Sequence, residues 1–170
     1  FLFVEGVYYT HDIRLYMLRL GMFAVISEVP YDLAFHGTAL EFEGQNVFFT
    51  LFLGVMLLYL LERDDEWPIK IMEVLLAMWV AGVLRTDYGY KGILLISIFY
   101  FFHRHRLAGL AIGALWNYLW YNRIQEYGAL AMIPLALYNG ERGRRMKYFF
   151  YVFYPLHLVI LFAISRMIAR

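Results

Sequence analysis

Near the C-terminus, residues 147–162 read Lys-Tyr-Phe-Phe-Tyr-Val-Phe-Tyr-Pro-Leu-His-Leu-Val-Ile-Leu-Phe, with one proline and a single histidine, His157, inside an aromatic and aliphatic run. A run this apolar is either a membrane-spanning helix or a core helix, and in both cases an imidazole at its middle needs a partner or a task. Pro155 has no N–H to give to the turn before it, so the helical ladder is interrupted just ahead of His157. Tyr154 and His157 lie three residues apart and share a helix face. A kinked apolar span with a tyrosine beside the histidine favours a functional His157 over a merely satisfied one.

Composition decides between the two kinds of helix. The 170 residues are 62% hydrophobic and 20% aromatic, and only 17% are charged, too few to clothe a soluble domain of this size. The expected fold is therefore all-α: a polytopic transmembrane helix bundle forming one domain over residues 1–170. A net charge of +1 gives nucleic acid nothing to hold. The absence of cysteine excludes disulfides and thiolate nucleophiles. Without HExxH or paired histidines at helical spacing, no metal is expected.

Read in order, residues 1–9 look like the tail of a helix, because the chain opens inside an apolar run with no basic leader before it. A fragment lacking its N-terminal helix is the expectation. Seven spans follow: 15–29, 47–61, 71–84, 92–102, 107–121, 128–138 and the closing helix from Lys147. The first is expected to stop at Glu28-Val29-Pro30, since a residue before proline is pushed out of helical geometry. Thr10 or Asp12 is suited to cap it, and Asn46 to cap the second. Residues 31–45 then form the longest polar connection.

Basic residues divide unevenly between the two sides. Arg14, Arg63, Lys70, Arg104, Arg106, Arg142, Arg144, Arg145 and Lys147 fall on one side by parity, and Arg85, Lys91, Arg123, Arg166 and Arg170 on the other. The richer side is expected to be cytoplasmic. The poorer side carries Glu28, Asp32, Glu41, Glu43, Asp87 and Glu126. A basic mouth suits an anionic cofactor, and an acidic rim suits an amine.

Several groups carry the candidate chemistry. Ser27-Glu28-Val-Pro-Tyr-Asp32 sets two carboxylates at an expected helix end, where the helix dipole disfavours them. Asp87 sits in a short link between Arg85 and Lys91, where a local ion pair is the plain alternative. The His103-Arg-His-Arg106 loop reads as interfacial. Gly140 and Gly143, within Asn-Gly-Glu-Arg-Gly-Arg-Arg, can make a basic turn for phosphates, a weak signal.

Five stretches in register carry a family resemblance. Ile26-Ser-Glu-Val-Pro-Tyr-Asp-Leu-Ala-Phe35, Gln45-Asn-Val-Phe-Phe-Thr50, Thr86-Asp-Tyr-Gly89, Ala136-Leu-Tyr-Asn-Gly140 and Lys147-Tyr-Phe-Phe-Tyr-Val-Phe-Tyr-Pro-Leu-His157 together resemble TraX. That family comprises bacterial membrane proteins named for acetylating the amino terminus of conjugative pilin. It is distantly similar to the integral-membrane acyltransferases that use acyl-CoA, with which it shares the closing Tyr-Pro-Leu-His segment. The resemblance implies a bacterial inner-membrane, multi-pass acetyltransferase with acetyl-CoA as donor. Members usually begin with a further helix carrying an Asp-His pair, which this sequence does not contain.

Such a transfer needs a base for the acceptor's proton, donors for the thioester oxyanion and cations for the cofactor phosphates. The sequence offers His157, Glu28, Asp32 or Asp87 as base. It offers Tyr154, Asn46 or Asn139 as donors, and Arg142, Arg144, Arg145 and Lys147 as the cations. The acceptor is an amine or hydroxyl, on a protein N-terminus or a small molecule. The competing class is a small secondary transporter or permease whose buried His, Glu and Asp relay protons. Such proteins tend to show two related halves, and none is visible here.

Overall fold

The computed structural model describes residues 1–39, 41, 43–63, 66–120, 123–141 and 146–168. Over these residues the chain is all-α, with one isolated β-bridge between Gln45 and Thr86. Helix α1 (Leu2–Tyr8) leads into α2 (Ile13–Phe35), α3 (Val47–Leu61), α4 (Trp67–Val83) and α5 (Gly89–Phe101). A 3-10 turn at His103–His105 precedes α6 (Arg106–Tyr118). Then come α7 (Arg123–Gly128), a second 3-10 turn (Ala129–Ala131), α8 (Met132–Ala136) and α9 (Lys147–Ile168).

Helix α3 occupies the centre because its sequence, Val-Phe-Phe-Thr-Leu-Phe-Leu-Gly-Val-Met-Leu-Leu-Tyr-Leu-Leu, is apolar on every side. Leu53, Val55, Leu57, Leu58 and Leu61 are buried there, among Leu20 and Ala24 of α2 and Ile93 and Ile96 of α5. Gly54 lets α5 come close: a Cβ at that position would lie 2.6 Å from Ile96 Cδ1 and 3.2 Å from Phe3 Cε1. Helix α9 packs along α2 and α3 through aromatic rings, with Tyr151 stacked on Phe23 at 4.8 Å and Tyr154 edge-on to Phe48 at 5.1 Å.

Two expected boundaries are corrected. Helix α2 does not stop at Pro30 but runs through it to Phe35, where Asp32 C=O accepts from His36 N at 2.8 Å. The preference of a pre-proline residue against helix is a bias, not a prohibition. Ile26 and Val29 face outward there and leave the proline ring room. The span expected at 128–138 is not one continuous α-helix. Pro134 cannot donate to the Leu130 carbonyl, and Ala129–Ala131 tightens to 3-10 geometry between α7 and α8. The Asp12 cap is present, its Oδ1 accepting from Arg14 N and Leu15 N, both at 3.0 Å. The Asn46 cap is present as well, Oδ1 accepting from Phe48 N at 3.0 Å.

Among the described residues, the segment Phe149–Ile168 of α9 is long and apolar enough to cross a membrane. Helices α3 and α5 are apolar but shorter, at 15 and 13 residues. The outward faces of α4 and α9 are apolar, with Ile71, Leu75 and Trp79 exposed on one and Phe150, Val152, Leu156 and Ile160 on the other. Apolar faces this extensive are rare on soluble monomers.

Among the described residues, basic side chains gather at both ends of the bundle. At one end Arg14 donates to the Tyr59 hydroxyl (3.3 Å), Lys70 to the Leu61 carbonyl (2.9 Å), and His103 pairs with Glu5 (3.2 Å). At the other are Arg85 and Lys91, whose ammonium donates to the Trp120 carbonyl (3.4 Å). Arg166 is there too: a Cβ at Gly37, in the turn after α2, would come within 3.8 Å of its guanidinium.

Candidate active site

The continuation of α2 past Pro30 changes the meaning of its two carboxylates. They stand in the last turns of a helix, four residues apart and hence on one face, rather than in a loop. Asp32 is completely buried, and so is Ser27 in the turn before it. The connection after α2 folds back over this face. Asp32 Oδ2 accepts from Glu41 N at 2.9 Å, and Gln45 then bonds to the α4–α5 link. Gln45 N donates to Arg85 O at 3.0 Å, and Asp87 N donates to Gln45 O at 2.8 Å.

Asn46 is the hub of the arrangement and is fully buried. Its Oδ1 caps α3, while its Nδ2 donates to the Ala24 carbonyl at 2.7 Å and to Glu28 Oε2. The Asn46 backbone N–H donates to the same Glu28 oxygen at 3.4 Å. One side chain thus ties the start of α3 to two successive turns of α2 and holds the Glu28 carboxylate by one oxygen. The other oxygen, Oε1, is buried with no hydrogen-bond partner among the described residues. Asp32 Oδ1, Ser27 Oγ and Thr86 Oγ1 are buried and unpartnered in the same way. Buried polar atoms of native proteins are nearly always satisfied, so four on these adjoining segments set this cluster apart from the rest of the core.

The α4–α5 link completes the cluster. Helix α4 ends in a left-handed cap: Arg85 N donates to Gly82 O and Thr86 N to Ala81 O, both at 3.1 Å. The left-handed residue is Arg85, at φ 50°, where glycine is usual. This turn aims Thr86 and Asp87 at the start of α3, where Tyr88 N reaches Thr50 Oγ1 at 3.4 Å. The Thr50 hydroxyl thereby receives the neighbouring link. Asp87 is open to solvent on one side, and the helix ends crowding the other push its carboxyl above the ordinary range by desolvation. Lys91, its expected ion-pair candidate, turns to Trp120. Tyr31 and Tyr154 lie near enough to Asp87 to feel its charge.

His157 stands at the rim, one turn beyond Tyr154. Its ring stacks on Phe153 at 5.1 Å and meets Tyr154 edge-on at 5.5 Å. Nδ1 lies 3.0 Å from the Phe153 carbonyl, which can only accept, so Nδ1 carries a proton and, in the neutral ring, the lone pair is on Nε2. No hydrogen bond joins His157 to the carboxylates among the described residues.

Glu28, Asp32, Asn46, Asp87 and Tyr154 are therefore brought together, with His157 at the edge. Asn139 is not among them. It lies near the opposite end of the bundle, where its amide and Glu141 close a local turn through two 3.0 Å bonds. Arg142, Arg144 and Arg145 lie outside the described residues, as does the Lys147 side chain. Ser27, Tyr31 and Thr86 join the cluster without having been singled out. Ser27 and Tyr31, four apart on α2, would have stood out had the helix been carried through Pro30.

Fold and site define an α-helical bundle with a carboxylate-rich cluster at one end and, along its side, a C-terminal helix of membrane-crossing length. The chain belongs to the TraX family, whose model, described as TraX protein, matches residues 1–165. It is also similar to a protein of Dichelobacter nodosus described as probable fimbrial assembly protein FimC, serogroup H1. The two are 27% identical over 186 residues, covering 95% of this chain and 75% of that protein. No solved structure matches the chain.

Proposed function

We propose that this protein is a multi-pass enzyme of the bacterial cytoplasmic membrane that moves an acetyl group from acetyl-CoA to an amine or hydroxyl. The observation that carries the reading is Glu28, anchored through one oxygen by Asn46 while the other is buried and free to accept a proton. The acceptor's nitrogen or oxygen attacks the thioester carbonyl carbon and gives its proton to Glu28. The carbon–sulfur bond breaks as the new bond to the acetyl carbon forms, and the leaving CoA thiolate takes up the proton that Glu28 received. The Tyr154 phenol is the donor for the oxyanion, and the lone pair on His157 Nε2 offers a second base at the rim.

Placement of the two ends supports the same reading. The end with more basic residues faces the cytoplasm in this scheme and receives the anionic donor. The carboxylate end faces outward in it and receives the acceptor, a pilin-like N-terminus or a small molecule; the relative described as a fimbrial assembly protein supports the first. About seven crossings are proposed, with flanking polar residues extending the shorter helices into the headgroup layers.

Isothermal titration of the detergent-extracted protein with CoA separates this reading from a permease. Micromolar binding, weakened when Arg142, Arg144 and Arg145 are replaced together by Gln, is the expected result. A protein that stays folded yet shows no heat with CoA or acetyl-CoA would overturn the reading.

A further inference from the structure

A cavity of about 590 Å³ opens at the end of the bundle opposite the carboxylate cluster. Its wall is aromatic, formed by Tyr8, Trp67, Tyr100 and Phe101, and both signs of charge meet in it. Glu62 lies beside the Tyr8 and Tyr100 phenols, the second of which donates to the Leu61 carbonyl at 2.8 Å. Lys70 gives one donor to the Leu61 carbonyl and keeps two more, and Arg104 is exposed at the mouth. Among the described residues of the lining, His103 is paired with Glu5, which leaves Glu62 beside the two cations Lys70 and Arg104 to address a ligand.

That balance selects the ligand. A nucleotide with several phosphates would bring its charge against Glu62. A single phosphate joined to an ammonium matches both signs: the phosphate meets Lys70 and Arg104, and the ammonium meets Glu62 and the aromatic faces. The surface leading away from the cavity is apolar. Trp67, Ile71, Leu75, Trp79 and Val83 recur every four residues along α4, each more than half exposed, in one stripe starting at the cavity. Tyrosine and tryptophan at such a level are characteristic of the headgroup layer.

We propose that this cavity binds the zwitterionic headgroup of a phospholipid, whose acyl chains lie along the outward stripe of α4. The proposal rests on the bundle being embedded in a bilayer but not on its transferring acetyl groups. Native mass spectrometry tests it, on the full chain released from nanodiscs containing equal amounts of phosphatidylethanolamine and phosphatidylglycerol with the same acyl chains. The expected result is retention of phosphatidylethanolamine over phosphatidylglycerol by about tenfold, the size of one charge-assisted hydrogen bond. Glu62→Gln should erase that preference, and Lys70→Gln with Arg104→Gln should lower retention of both lipids. Free O-phosphoethanolamine should displace the lipid from the wild-type protein, a measurement that needs no variant. Equal retention of the two lipids, or a preference that survives Glu62→Gln, would overturn the proposal. Displacement by adenosine 3′,5′-bisphosphate but not by phosphoethanolamine would overturn it too, assigning the cavity to a nucleotide. Lipid selectivity in a protein without transferase activity would sink only the enzymatic reading.

Discussion

At the scale of single residues, Arg85 and His157 make contrasting claims. A non-glycine residue in the left-handed region costs about 1–2 kcal/mol, and Arg85 bears that cost in the turn that presents Thr86 and Asp87. Arg85→Gly should therefore raise stability by about 1 kcal/mol in a reversible unfolding measurement in detergent. A fall in stability would mean that the Arg85 side chain contributes more than the strain removes. His157 is held by its own helix through Phe153, which fixes its tautomer without burying its second nitrogen. His157→Ala is expected to lower acetyl transfer by about a hundredfold or more, the usual size of a lost acid–base contribution, with little change in CoA affinity. His157→Gln separates proton transfer from hydrogen bonding: near-normal turnover in the Gln variant would reduce the imidazole to a structural donor and acceptor.

At the scale of elements, packing rather than propensity sets the tolerances. Gly54 is closed in by Ile96 and Phe3, whereas nothing lies within 4 Å of a Cβ at Gly82. Gly54→Ile should cost about 1–3 kcal/mol through overpacking between α3 and α5. Gly82→Ala, on the open side of α4, should gain about 0.5–1 kcal/mol by stiffening the helix. The same denaturation assay reads both, and equal effects at the two positions would contradict the packing described. The elements legible in the sequence were those with continuous apolar runs: α3, with Asn46 as its cap, and α5, α6 and α9. Proline defeated the reading twice, for opposite reasons. At Pro30 the helix had room on its outer face and continued; at Pro134 the lost hydrogen bond changed its winding. The cluster was half legible. Glu28, Asp32, Asn46, Asp87 and Tyr154 each stood out by residue type, but nothing local shows that Asn46 reaches across to Glu28. Nor does it show that Gln45 pairs with the α4–α5 link, because those contacts join segments 18 to 42 positions apart.

At the scale of the whole molecule, what matters is which end faces which compartment, and what passes between them. The two ends differ in charge and in chemistry: carboxylates gather around Asn46 at one, while aromatic rings and cations surround the cavity at the other. With no cysteine of its own, the chain accepts single reporter cysteines cleanly. Glu43→Cys should react with an impermeant thiol reagent on intact cells, and Arg144→Cys only after the membrane is opened. The reverse pattern would invert the bundle and place the carboxylate cluster beside the cytoplasmic pool of acetyl-CoA. The claim on which the rest depends is that Glu28 takes the acceptor's proton, and it can be measured directly. The protein is reconstituted in liposomes with radiolabelled acetyl-CoA and a peptide bearing a free amino terminus, and label appearing on the peptide is followed. Wild-type protein should transfer the label. Glu28→Gln, which keeps an oxygen for Asn46 but cannot take a proton, should be slower by about a hundredfold or more at unchanged CoA affinity. Undiminished transfer by the folded Glu28→Gln protein would contradict the account.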